Sequence, residues 1–198
     1  AVVESALGMS IELLRRHPAQ YARARQGLWA RGELPELAPL GLAGSSVAVV
    51  GLGVIGRRMS EVLRACGAKV LGVDPAGVPA DVQGCNLDEA LEQADLVTLH
   101  CRLTDENQGM IGLPELSRMR STAVLVNTAR GPLLDVEAAA RRVESGQLRG
   151  LAVDVFPEEP YPRLSEFASI EGVYFTPHAA GYTDDLGARV AHGVGRAI

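Results

Sequence analysis

The chain has 198 residues, 47% of them hydrophobic and 22% charged, with a formal net charge of −5. That composition fits one folded domain or two small ones and excludes a disordered tail or a collagen-like repeat. The negative balance gives no general attraction to nucleic-acid backbones, and no apolar run approaches the ~18 to 20 residues of a membrane span, so neither partner is expected.

Residues 1–16 read as an amphipathic helix with Val3, Leu7, Ile11 and Leu14 on one face. The helix begins without an initiator Met or a capping residue. At the other end Thr183 is placed to cap a helix that starts with Asp184 and Asp185 and runs to Ile198 without a stop signal. Both ends read as cut through helices, so the chain is expected to be part of a longer protein. Segment 17–42 is rich in Arg, Pro and Gly and holds the single Trp, Trp29. It is expected to be an irregular connection, of a length that is usually functional or held by a partner.

The pattern then becomes regular. Apolar, β-branched runs at 46–50, 69–74, 95–100, 122–127, 151–155 and 173–176 predict strands. Ile55, Met59, Val62 and Cys66 recur at helical spacing, and 87–94, 113–119 and 135–145 predict further helices. Strands apolar throughout, alternating with helices, imply an α/β fold with a doubly wound parallel sheet and right-handed crossovers. Such sheets bind ligands beyond the carboxyl ends of their strands, so the chemistry belongs just past each run.

Past the first run stands Gly51-Leu-Gly53-Val-Ile-Gly56. The first glycine permits a tight turn, the second lets backbone approach a pyrophosphate, and the third lets helix and strand pack closely. The helix start offers free N–H groups to phosphates. Asp74 ends the second run, 23 residues after Gly51, where a carboxylate can accept hydrogen bonds from adenosine ribose hydroxyls. It would repel a 2′-phosphate by about 4 kcal/mol at ~4 Å and an effective dielectric near ~20, so NAD is expected over NADP. A P-loop is excluded because the one lysine, Lys69, follows Ala68. Position 65 is Ala, which removes the Tyr-x-x-x-Lys of short-chain dehydrogenases. A methyltransferase remains open on the glycine loop alone.

Arg130, Glu159 and His178 each follow a later strand. Taken singly, each has a bland explanation: a surface ion pair, a solvated acid, a structural histidine. On one rim they suit hydride chemistry on a 2-keto acid. Arg presents a fork to the carboxylate, and a His beside a Glu is a proton donor tuned for neutral pH. His17, His100 and His192 lack such company and are expected to be structural. Cys66, Cys85 and Cys101, at spacings of 19 and 16, suit neither a disulfide framework nor a zinc site. No metal is expected, and reduced thiols point to the cytoplasm.

Together these segments resemble the NAD-binding domain of the D-isomer-specific 2-hydroxyacid dehydrogenases over nearly the whole chain. The resemblance rests on Val3-Glu-Ser-Ala-Leu7, the glycine loop, Asp74, His100 with Leu103 and Thr104, Val126-Asn-Thr-Ala-Arg130-Gly-Pro-Leu133, Asp154-Val-Phe156 through Glu159-Pro160, and Thr176-Pro-His178-Ala-Ala-Gly181. It implies a Rossmann-type fold, NAD as cofactor and a 2-keto or 2-hydroxy acid as substrate. By position, Arg130 resembles the substrate-binding Arg, Glu159 (rather than Glu158) the partner of the histidine, and His178 the acid/base. Gly51, Gly53, Val54, Ile55 and Gly56 resemble the pyrophosphate site and Asp74 the ribose acid. Thr128, Asp154 and Gly181 match positions lining the nicotinamide side, and Ala129, Arg130 and His178 count among the cofactor contacts. Two positions depart from the family: Arg102 stands where Pro is usual and Asn107 where Thr is common.

The resemblance also implies a layout: a hinge helix at 1–16, a dimerisation arm at 17–42 with Leu28 and Trp29 as homodimer anchors, a Rossmann core at 43–181, and the start of a return hinge helix at 182–198. The substrate domain is largely missing, so the chain is expected to bind NAD but turn over little alone. The alternative is a non-catalytic NAD-sensing or dimerisation module, like the corepressors that share this fold.

Overall fold

A computed structural model describes residues 1–33 and 38–184. Its centre is one sheet of seven strands: β1 (Ser46–Val50), β2 (Lys69–Val73), β3 (Gln83–Gly84), β4 (Leu96–Leu99), β5 (Val124–Asn127), β6 (Gly150–Val153) and β7 (Val173–Phe175). They lie in the order β3-β2-β1-β4-β5-β6-β7, and every pairing is parallel. The helices are α1 (Val2–Arg15), α2 (His17–Arg25), α3 (Val54–Ala65), α4 (Leu87–Gln93), α5 (Leu113–Arg118), α6 (Val136–Glu144) and α7 (Leu164–Phe167), with 3-10 turns at Ala30–Glu33 and Gly131–Leu133. No helix among the described residues is long and apolar enough to cross a membrane.

The strands are apolar throughout because both sheet faces are covered. In β1, Val47 and Val49 pack into the layer made with α1 and α3, whereas Ala48 and Val50 pack into the layer made with α4, α5 and α6. β6 alternates likewise, Ala152 to the first layer and Leu151 and Val153 to the second. Side-chain caps set two helix starts. Asn86 and Glu89 form a reciprocal capping box at α4, and the Asp135 carboxylate accepts from the Ala138 N–H at α6.

Three expectations need correction. Segment 17–42 is not irregular from its start: α2 occupies Pro18 and its neighbours, with Pro in the first turn, where its missing N–H costs nothing. The buried face of α1 is Ala6, Met9, Ser10, Leu13 and Leu14, and Val3, Leu7 and Ile11 flank it half-buried. Small Ala6 and Ser10 let α1 lie close on the sheet, and the Ser10 hydroxyl is satisfied by donating to the Ala6 carbonyl at 2.6 Å. β3, two exposed residues beside β2, was not among the predicted strands. The helix expected from Asp184 to Ile198 falls outside the described residues beyond position 184.

β1 pairs with β2 on one side and β4 on the other. The winding therefore reverses between β1 and β4, and their carboxyl ends open a crevice.

Candidate active site

The glycine loop sits at that crevice, between β1 and α3. Gly51 has φ 91°, and a Cβ there would lie 2.4 Å from the Cys101 backbone nitrogen. A Cβ on Gly56 would lie 1.9 Å from the Gly51 carbonyl oxygen. A Cβ on Gly53 would meet nothing within 4 Å. Packing thus demands the first and third glycines, while the second faces open space at the N-terminus of α3. Val54, 90% exposed, and Ile55 stand beside it.

Asp74 is tied to this loop. Its Oδ2 accepts from the Leu52 N–H at 2.6 Å and its Oδ1 from the Ala76 N–H at 2.8 Å. Each carboxylate oxygen keeps a second lone pair for a ligand. Arg57 closes the loop from the helix side, donating from Nε to the Leu52 carbonyl at 2.8 Å.

Past β4, the His100 ring bonds through Nε2 to the Thr98 hydroxyl at 2.9 Å. Burial pushes its pKa down to about 4. Burial also raises the neighbouring Cys101 thiol, with the nearby Asp74 charge adding to the effect.

Past β5, Asn127 shapes the turn that presents Arg130. Its Oδ1 accepts from the Ala129 N–H at 3.0 Å and its Nδ2 donates to the Arg130 carbonyl at 3.0 Å. Gly131 then lets this turn touch the next one, since a Cβ there would sit 2.0 Å from the Phe156 carbonyl carbon. The Arg130 guanidinium rests on the Ala129 carbonyl at 2.6 Å.

Past β6 and β7, two acids hold one histidine. Asp154 is 1% exposed. Its carboxylate accepts from the Thr176 hydroxyl and from the N–H groups of Ala179, at 2.7 Å, and Ala180, at 3.0 Å. Its carbonyl accepts from the His178 N–H at 2.8 Å. That set keeps His178 at φ 55°, a left-handed conformation that costs roughly 1–2 kcal/mol outside glycine and clusters at functional sites. Glu159 bonds His178 Nδ1 through Oε2 at 2.7 Å, and its Oε1 accepts from the Phe156 N–H at 2.9 Å. The His178 bond, then the Phe156 N–H, hold the Glu159 carboxyl below its ordinary range, and the charges of His178 and Arg130 add to this. With Nδ1 taken, His178 has Nε2 for the cleft.

A cavity of about 500 Å³ runs along this rim, walled by Ile55, His100, Arg102, Arg130, Asp154 and His178 among others. The sequence signals thus converge: Arg130 and His178 line the same cavity, and Glu159 is bonded to the ring without lining it. Thr128, Ala129 and Gly181 line it too. Sequence reasoning missed three contributors. His100, set aside as structural, is part of the wall, and its place just past a strand was the available signal. Asn127 and Gly131 act through backbone contacts that no spacing reveals.

The residues fit a dinucleotide. Gly53 leaves a face open for phosphates, and Asp74 has acceptor capacity at the β2 end. Thr128, 7% exposed, lines the cavity, and its buried hydroxyl has no hydrogen-bond partner among the described residues. A buried orphan of this kind calls for a bound group.

Comparisons with known proteins agree. Residues 7–180 match the family model described as D-isomer specific 2-hydroxyacid dehydrogenase, NAD binding domain. A D-3-phosphoglycerate dehydrogenase of Synechocystis sp. is 34% identical over 205 residues, covering 100% of this chain and 36% of that protein. A glyoxylate reductase of Thermofilum pendens is 33% identical, covering 96% of this chain and 58% of the other. The crystal structure of a D-lactate dehydrogenase from Aquifex aeolicus, complexed with NAD and lactic acid, superposes with a TM-score of 0.89 at 28% identity, covering 99% of this chain and 64% of that one. The chain therefore spans between about a third and two thirds of these relatives.

Proposed function

The chain belongs to the D-isomer specific 2-hydroxyacid dehydrogenases as their NAD binding domain, and on that premise we propose that the protein carrying it interconverts a 2-keto acid and a D-2-hydroxy acid. NAD supplies the hydride chemistry when bound. Gly51, Gly53 and Gly56, with the α3 N-terminus at Val54 and Ile55, hold its pyrophosphate. Asp74 takes the adenosine ribose and favours NAD over NADP. Thr128, Ala129, Asp154 and Gly181 border the nicotinamide side.

The chain's own residues do the rest. Arg130 clamps the substrate carboxylate and draws on the carbonyl oxygen. His178 Nε2 gives a proton to that oxygen during reduction and takes it back during oxidation. Glu159 fixes the ring by Nδ1. The observation that carries this reading is the 2.7 Å His178–Glu159 bond on the rim that holds Arg130 and the glycine loop. A non-catalytic NAD sensor has no use for that set, and no observation favours it.

The test is a panel of 2-keto acids with NADH against the intact protein. At least one is reduced, and His178→Ala lowers kcat by about 10²- to 10⁴-fold while NADH binding persists. Unchanged turnover in His178→Ala would remove the histidine as proton carrier.

We propose further that two copies pair through residues 17–42. Trp29 is 91% exposed and Leu28 lies beside it. A groove of about 730 Å³ opens between α2 and the edge strand β7. Exposed aromatics of this kind are enriched in interface cores. Light scattering returning a monomer mass at micromolar concentration overturns this. The cytoplasm is the proposed setting, on the odd cysteine count without a CxxC pair.

A further inference from the structure

Arg102 takes no part in the carboxylate or proton chemistry of the rim, yet it lines the same cavity as Arg130 and His178. Its side chain is exposed and has no acidic partner among the described residues. Its backbone is held. Asn107 donates from Nδ2 to the Arg102 carbonyl at 2.8 Å, and its Oδ1 accepts from the Thr104 N–H at 2.8 Å. Arg102 and Asn107 are therefore one local structure: an amide clasp that sets the turn from which the guanidinium projects.

The glycine loop lacks such a charge. The first turn of α3 presents Val54 and Ile55, both apolar. Arg57 is turned back onto the Leu52 carbonyl, and Arg58 pairs with Glu61 at 2.7 Å. Phosphates over Gly53 would find backbone N–H groups and a helix terminus but no cation from the loop itself. The chain at 101–102 runs against this loop: Gly51 can approach the Cys101 backbone only because it has no Cβ. β4 lies between β1 and β5, so Arg102 stands one strand nearer the glycine loop than Arg130 does.

We propose that Arg102 is the cation that meets the pyrophosphate of the bound dinucleotide, with Asn107 as the residue that positions its turn. This rests on the cleft being the NAD site. Arg130 is then left to the carboxylate of the acid, and the two guanidiniums divide the anions along the rim.

The experiment titrates the chain with NADH, ADP-ribose and adenosine, comparing wild type with Arg102→Gln and Arg102→Lys. Arg102→Gln weakens NADH and ADP-ribose by a similar factor, about fivefold at low ionic strength, shrinking as salt is added. Adenosine, which has no phosphate, binds both proteins alike, and Arg102→Lys recovers most of the loss. Equal NADH affinity in wild type and Arg102→Gln overturns the proposal. So does an equal loss for adenosine, which would put the guanidinium on the base. A wild-type chain that binds no NADH overturns the cofactor reading itself, and this proposal with it.

Discussion

The two halves of the rim are built by opposite means. On the glycine-loop half, what matters is atoms left out: Gly51 and Gly56 let backbones approach where no Cβ fits. On the histidine half, what matters is polar atoms put in: the Asp154 carboxylate gathers three donors, and Glu159 takes two more. The first half can bind a flat, charged cofactor against bare backbone. The second can hold one imidazole in a fixed pose. The contrast predicts that the first half breaks when carbon is added and the second when a hydrogen bond is removed.

The largest effect is expected from Gly56→Ala. The new methyl meets a backbone carbonyl at 1.9 Å, which no rotamer relieves. Destabilisation of about 3 kcal/mol or more, at the upper end of overpacking, should appear in urea unfolding together with loss of NADH binding. A Gly56→Ala chain of wild-type stability would mean that packing does not demand the third glycine.

Acid comes next. His100 is held neutral by burial, its pKa lowered from 6.5 to about 4. The unfolded chain takes up a proton at this site that the folded chain refuses, so stability is full above pH 6.5 and falls as pH drops toward 4. The loss is about 3 kcal/mol over that window, and His100→Asn removes this part of the slope. Unfolding free energies measured across the window, wild type against variant, check it. Parallel pH profiles would place His100 in water.

Tyr161→Phe probes the support of the histidine half. The Tyr161 ring stacks on Phe156 at 4.8 Å, and its hydroxyl donates to Glu137 at 3.0 Å, where Arg163 also pairs. This ties the turn that carries Glu159 to the start of α6. Loss of the hydroxyl should cost about 1 kcal/mol in stability, read from the urea midpoint, and lower kcat of the intact protein more than it weakens NADH.

The smallest effect on stability belongs to Gly53→Ala. Among the described residues no atom is close enough to resist the methyl, so the melting temperature should hold within about 1 °C, given the size of a ~0.3 kcal/mol change. NADH affinity should nevertheless fall, because the methyl occupies the face left for phosphates. A drop in both would join Gly53 to its two neighbours and blur the distinction.

Much of this was legible in the sequence because the relevant signals are periodic or local. Both-face burial writes itself as unbroken apolar runs, and six of the seven strands follow from them. The glycine loop with Asp74 at the next strand end is readable for the same reason: spacing and position suffice. α2 was not readable, since HPAQYARAR has no apolar face and only Ala19 is buried. β3 is too short to show alternation. The buried face of α1 includes small Ala6 and Ser10, which an apolar pattern alone does not mark. Asn127 and Asp154 act by bonding backbone groups two to 26 residues away, and a sequence shows which residues are polar but not which backbone groups they reach.

Asp154 has a mechanical consequence. By gripping the 176–180 turn from just past the end of β6, it fixes the backbone that carries the imidazole, while Glu159 holds the ring, so the side chain is a post rather than a swinging arm. The direction of its Nε2 is therefore set before any ligand arrives.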